Sequence, residues 1–178
     1  MTPQLEQLIK HYESLHDGDL KEIGLQPKMD PLGIWTEGWG AVVYDANNRK
    51  IKGALNKALA IQFSKIKTEA DAQIDLASKV SRVNACVLSL INKNVKLKPN
   101  QLDAFVDLSY NAGSYVLKGT KTLAALNNGN FDLAMQMMLT WNKGVDEKTG
   151  KLIVLPGLDA RCKSRVHLFK TGEVKFFN

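Results

Sequence analysis

"DPLGIWTEGWG", Asp30 to Gly40, packs glycines at 33, 38 and 40, two tryptophans, an acid and a threonine into one short stretch. Glycine permits tight turns and close backbone approach, so the stretch reads as a turn-rich frame holding Asp30 and Thr36. On its C-terminal side Val42-Val43-Tyr44 reads as a strand, "DANN" as a turn and Lys50-Ile51-Lys52 as a return strand. That predicts an antiparallel sheet of two or three strands, too small to stand alone. On its N-terminal side Thr2-Pro3 opens a helix, and Leu5, Leu8, Ile9, Tyr12 and Leu15 follow at helical spacing. Glu13 falls on the last turn of that helix. Residues His16 to Met29 read as polar and irregular.

The remainder is helical. "TEAD" (Thr68–Asp71) is a capping box that opens a run through Ile74, Ala77, Val80, Val83, Val87 and Ile91. Pro99 starts a helix stopped by Gly113, and short helices are expected at Leu123–Asn127 and Phe131–Trp141. The final one runs from about Leu158 to Lys170, stopped by Gly172. The fold class is therefore α+β. A small lobe with a β-hairpin, about residues 13–67, is joined by a long helix to a helical lobe, about 68–178, on which the N-terminal helix packs. Met135, Met137 and Met138 with Leu133 and Leu139 are expected to fill the helical lobe, as is Trp141, while Trp35 and Trp39 shape the small one.

The 178 residues suit one domain with a sizeable core. No apolar run reaches the roughly 20 residues of a membrane span, and the charged N-terminus argues against a cleavable secretory signal. The protein is expected in a cytoplasm. Its net charge of +6, from 24 basic and 18 acidic residues, favours polyanionic partners or simply a solvated basic surface. Cys86 and Cys162 are expected as reduced, buried thiols, and neither they nor His11, His16 and His167 have metal-ligand spacing. His11 and His16 are assigned to the surface.

An acid on a helix end, facing an acid and a hydroxyl on a hairpin, is one way to build a two-carboxylate site; the same residues also suit an ordinary turn. Such a pair serves glycosidic hydrolysis, one carboxyl protonating the leaving oxygen and the other activating water. An apolar setting raises the pKa of the first, and a wetter hairpin keeps the second charged.

"IKHYESL" followed by "DPLGIWTEGWG" resembles the front end of the phage-type lysozymes, endolysins that cut bacterial peptidoglycan. In that family a helix carries "EGL" or a variant and the hairpin reads D-x-x-G-x-x-T-x-G-x-G. "QLDAFVDLSYNAGSY", "TLAALNNGNFDLAMQMMLTWNKG" and "GLDARCKSRVHLFKTG" are similar to its later helices, in the same order. The resemblance implies a lysozyme-like fold, with Glu13, Asp30 and Thr36 as the catalytic residues. It implies substrate contacts at Asn111, Gly38 and Arg161, although Asn111 could equally cap the turn at Gly113. Arg161 is expected near the catalytic glutamate, where a cation would lower its pKa. The implied reaction is cleavage of the β-1,4 bond between N-acetylmuramic acid and N-acetylglucosamine, with inversion. No metal or cofactor, no nucleic-acid partner and no stable membrane insertion are expected. The expected protein is a monomeric phage or prophage enzyme, held in the host cytoplasm until another protein lets it reach the wall.

The sequence departs from the family pattern in three places. "HDGDLKEIGLQ" lengthens the path from Glu13 to Asp30 and introduces Asp17, Asp19 and Glu22 as competing acids. Ala41 stands where histidine is frequent. Cys162 and Arg165 alter the terminal motif. Two other readings therefore stand beside hydrolysis: a lytic transglycosylase of the same fold, and a silent glycan-binding or phage structural domain.

Overall fold

The computed structural model describes residues 1–18, 21–30, 32–146 and 149–178. The chain divides into two compact units, one formed by residues 13–79 and the other by residues 1–12 with 80–178.

In the 13–79 unit the strands β1 (Lys28–Met29), β2 (Trp35–Glu37) and β3 (Ala41–Val42) form an antiparallel sheet in the order β1-β2-β3. Thr36 is the central residue of the register, opposite Lys28 on one side and Val42 on the other. The expected return strand is present only as isolated bridges, Tyr44 to Lys50 and Ile34 to Lys52. Between them the Asp45 carboxylate accepts the Asn47 and Arg49 N–H groups, each at 2.9 Å, and closes the turn. Trp35, Val43, Ile51 and Ala60 are buried together with Phe63 against them. Ala60 and Phe63 belong to α2 (Lys57–Phe63), which follows a 3-10 turn at Ala54–Asn56. The sequence pattern signals neither of these two elements, nor β1.

Long helix α3 (Glu69–Leu90) starts at the expected box: Asp71 N–H donates to Thr68 Oγ1 at 3.1 Å and Thr68 N–H to Asp71 Oδ2 at 3.0 Å. Ala72, Leu76, Val80, Val83 and Val87 are its buried stripe, while Ile74 is 71% exposed and does not belong to it.

The other unit holds α1 (Pro3–Glu13) up to Tyr12, α4 (Pro99–Ala112), α5 (Lys121–Asn127), α6 (Phe131–Leu139) and α7 (Pro156–Thr171). Thr2 Oγ1 caps α1 through the Leu5 N–H, and Gly172 ends α7 in the left-handed conformation at φ 81°. Leu8, Phe105, Leu108, Leu126, Met138 and Leu168 are fully buried, each contributing about 1.5–3 kcal/mol by leaving water. Leu133 and Leu139, expected in the core, are each 39% exposed. A hairpin of β4 (Lys143–Val145) and β5 (Leu152–Val154) is a further element that the sequence pattern does not signal. Its apolar residues are exposed, so no alternation of buried and polar positions marks it.

Candidate active site

Glu13 is the last residue of α1. The chain leaves the helix through Ser14 at φ 57°, which ends the helical stripe before Leu15. Two residues later it is clipped to the sheet, where the His16 N–H donates to the Gly38 carbonyl at 2.8 Å. Gly40, at φ 79°, passes so close to the glutamate that an added Cβ would lie 3.0 Å from Glu13 Oε2. Gly38 is needed for a different reason: a Cβ there would meet Ile66 Cδ1 at 2.7 Å. Its carbonyl is taken by the His16 N–H and the residue is buried, so Gly38 shapes the frame.

Asp30 sits where β1 turns toward β2. Its N–H donates to the Ile34 carbonyl and its Oδ1 accepts the Ile34 N–H, both at 2.8 Å. The carboxylate is thus oriented through one oxygen. Thr36, on the middle strand, is 5% exposed and its hydroxyl donates to the Lys28 carbonyl at 2.9 Å. The same oxygen lies 2.6 Å from His16 Nδ1. His16 was expected on the surface; it is half-buried because its ring fills the space beside Thr36. Burial first, then the Lys28 ammonium, hold its imidazole below the ordinary value, against the upward pull of Glu13 and Asp30.

Glu13, Ser14, Leu15, His16, Lys28, Met29 and Asp30 line one open hollow of about 470 Å³. Of the competing acids, Asp17 and Glu22 do not line it. Asp17 Oδ1 instead accepts the Gln26 N–H at 3.3 Å and helps close the inserted loop, Glu22 is exposed, and Asp19 lies outside the described residues. Glu37 has a separate duty. It is 6% exposed, and its Oε2 accepts the Ser64 hydroxyl at 2.8 Å and the N–H groups of Lys65 and Ile66 at 2.7 and 2.9 Å. It anchors the β2–β3 turn to the segment before α3. Ala41 is buried opposite Glu37 on the neighbouring strand.

In the other unit Asn111 lines a hollow of about 420 Å³ with Val116, Trp141, Lys143, Leu152 and Leu158. Trp141 is half-buried there and not in the core, its Nε1–H donating to Thr122 Oγ1 at 3.0 Å. Arg161, expected to contact substrate, is 3% exposed. Its Nη2 donates to Asp107 Oδ1 at 2.8 Å, and the neighbouring Arg165 Nε donates to Asp107 Oδ2 at 2.8 Å. The Arg161 guanidinium lies 5.6 Å from the centre of the Tyr12 ring, whose hydroxyl is 2.6 Å from Ser164 Oγ. Burial pushes the Asp107 carboxyl up, but the two guanidiniums prevail and hold it below its usual range. The altered terminal motif is thus a buried charge cluster, in which Arg161 and Arg165 share one carboxylate.

Comparison with known proteins agrees with this fold. The family model "Phage lysozyme" matches residues 20–165, an interval that contains Asp30, Thr36, Asn111 and Arg161 and begins after Glu13 and His16. An endolysin of Bacillus phage B103 is 41% identical over 81 residues, 46% of this chain and 28% of the relative's own length. The chain therefore matches little more than a quarter of that relative. Among solved structures, an endolysin from Escherichia coli O157:H7 phage FAHEc1 superposes with a TM-score of 0.74 at 23% identity, covering 98% of this chain and 95% of its own. The muramidase domain of SpmX from Asticaccaulis excentricus gives 0.69 at 26% identity, covering 96% and 97%. A mutant of P22 lysozyme gives 0.65 at 22% identity, covering 95% and 97%. These likenesses establish a lysozyme-like fold.

Proposed function

Because the chain belongs to the phage lysozyme family, we propose that it is a peptidoglycan muramidase, a single lysozyme-like domain acting as a phage or prophage endolysin. It cleaves the β-1,4 bond between N-acetylmuramic acid and N-acetylglucosamine. The observation that carries this reading is the shared hollow, in which the helix-end Glu13 and the turn-held Asp30 line one open surface. Glu13 protonates the leaving oxygen. Asp30 has one oxygen engaged by the Ile34 N–H, and its other oxygen takes a proton from the attacking water. Water attack from the face opposite the leaving group inverts the anomeric carbon. Asn111 contacts the glycan. The charge of +6 favours retention on an anionic wall. Among the described residues no helix is long and apolar enough to cross a membrane.

The test is clearing of purified peptidoglycan by wild type, Glu13→Gln and Asp30→Asn, with mass spectrometry of the new sugar ends. Loss of a positioned acid or base is worth roughly 100- to 10,000-fold, so both variants are expected to fall at least about 100-fold. Equal clearing by wild type and Glu13→Gln removes the enzyme reading. Anhydro-sugar ends, with Asp30→Asn fully active, replace hydrolysis by transglycosylation.

A further inference from the structure

The clip between the helix-end loop and the sheet contains a side chain that the reaction scheme leaves unused. His16 lines the same hollow as Glu13 and Asp30, and it is tied to the sheet twice. Its backbone N–H reaches the Gly38 carbonyl at 2.8 Å, and its Nδ1 lies 2.6 Å from Thr36 Oγ1. A hydroxyl has one proton and two acceptor lone pairs. The Thr36 proton is directed to the Lys28 carbonyl at 2.9 Å. The contact with His16 is then a hydrogen bond only if Nδ1 carries the proton and donates, while the Glu13 backbone carbonyl is a second acceptor facing the ring. That assignment consumes one lone pair of Thr36 and leaves one.

We propose that His16 is a positioning residue of this site: its Nδ1–H holds the Thr36 hydroxyl as an acceptor for the attacking water, and its ring ties the loop after Glu13 to the strand carrying Thr36. The inference rests on the hydrolase reading and adds a group to it. The water is then offered two acceptors, the second Asp30 oxygen on the hollow and the remaining lone pair of Thr36, which lies behind its two hydrogen-bond partners His16 and Lys28 that line it.

A titratable ring in this place also links the site to pH. The charged groups acting on it are Glu13 from α1, Lys28 from β1 and Asp30 from the turn after β1. The neutral ring is the working form. Protonation at Nε2 leaves the Thr36 bond in place but adds a cation beside both carboxyls. That cation opposes the positive charge that develops on the sugar ring in the oxocarbenium-like transition state. Activity therefore acquires an acidic limb that belongs to His16, below the ordinary imidazole value of 6.5.

The experiment compares His16→Asn, whose amide N–H falls near the position of Nδ1, with His16→Phe, which keeps a ring and loses the donor. Kinetics on peptidoglycan glycan strands are recorded from about pH 5 to pH 8, where imidazole titrates, and ring-nitrogen NMR is recorded on wild type and Glu13→Gln. His16→Phe is expected to lower kcat by about 10- to 100-fold with KM nearly unchanged, the effect of a misaimed reactant. His16→Asn recovers most of kcat and loses the acidic limb. The spectra show an Nδ1–H tautomer, and the His16 titration moves to lower pH in Glu13→Gln. Identical pH profiles for Asn, Phe and wild type overturn the proposal, as does an Nε2–H tautomer. If wild type cuts no glycan, the hydrolase reading fails on its own, and the NMR arm still decides the hydrogen bonding claimed for His16.

Discussion

Asp107 serves two arginines, and that sharing yields a sharp prediction. Asp107 and Arg165 are fully buried and Arg161 is 3% exposed, so one carboxylate holds two cations away from water. Replacing Asp107 by Asn takes that shared charge from both guanidiniums and leaves Arg165, the deeper of them, without its ionised partner. Removing one partner of a buried pair costs about 3–5 kcal/mol. For a chain of 178 residues each kcal/mol moves Tm by about 2–4 °C, so Asp107→Asn should lower Tm by roughly 6–20 °C. Arg165→Met is the informative control. It removes a buried cation together with its desolvation cost, and it leaves Asp107 on Arg161 at 2.8 Å. Replacing a whole buried ion pair by apolar side chains is often close to neutral, and the large cost arises when a buried charge is left uncompensated. Arg165→Met leaves Asp107 paired with Arg161, so its cost should be about 1–2 kcal/mol at most. Thermal melts followed by circular dichroism, with urea titrations as a second measure, give both values. The pH dependence has a definite sign. The folded pKa of Asp107 lies below the unfolded value of 3.8, so its stabilisation is complete above about that pH and is lost as pH falls through the folded value. Asp107→Asn should flatten this acid limb. Equal losses from Asp107→Asn and Arg165→Met, or a loss below about 1 kcal/mol for Asp107→Asn, would refute the shared-carboxylate argument.

Two further perturbations probe the frame that presents Glu13 and Thr36. Ser14 occupies the left-handed region at φ 57°, which costs an L-residue roughly 1–2 kcal/mol, a gain for glycine that its looser unfolded chain partly offsets. Ser14→Gly should therefore raise stability by about 0.5–1 kcal/mol in a thermal melt, and a lower Tm counts against the strain. Glu37→Ala removes the acceptor of one hydroxyl and two backbone N–H groups, and an unsatisfied buried donor costs about 1–3 kcal/mol. A loss near 3 kcal/mol is expected for Ala and about 1 for Gln, which keeps a carbonyl acceptor; equal losses would mean that the side chain's volume, not its oxygen, is what matters.

The opening stretch was legible because its glycines are dictated by contacts that leave little choice. Gly38 has Ile66 where a Cβ would go, and Gly40 has the Glu13 carboxylate. Glu13 and Asp30 were singled out by resemblance: the helical spacing runs past the glutamate to Leu15, and an acid before a glycine-rich turn is ordinary by itself. β1 was not legible. It has only two residues, both exposed, and a strand that short carries no period. His16 was invisible for a related reason. Its partner Thr36 is 20 residues away, and only the sheet register and the exit from α1 bring the two together. Helix α2, by contrast, has good helix formers in "KALAIQF". At seven residues it is too short to show a full amphipathic repeat, and no capping box stands before it.

Arg161 shows how a motif can point correctly to a residue and leave its work unread. Resemblance directed attention to the glutamate and the substrate, but a more local argument was available. Asp107 lies inside "AFVDLS", between Phe105, Val106 and Leu108, all of them buried. An acid in the middle of an apolar helix segment must either lose its charge or meet a cation. On α7 the arginines at 161 and 165 are four residues apart, so they project from one face, and that segment carries Ala160, Cys162, Leu168 and Phe169 as buried neighbours. A buried acid on one helix and two arginines on the inward face of another determine each other's position. Arg165, one of the departures from the motif that the sequence resembles, is then no defect. It is the second cation of a cluster whose carboxylate divides its two oxygens between them.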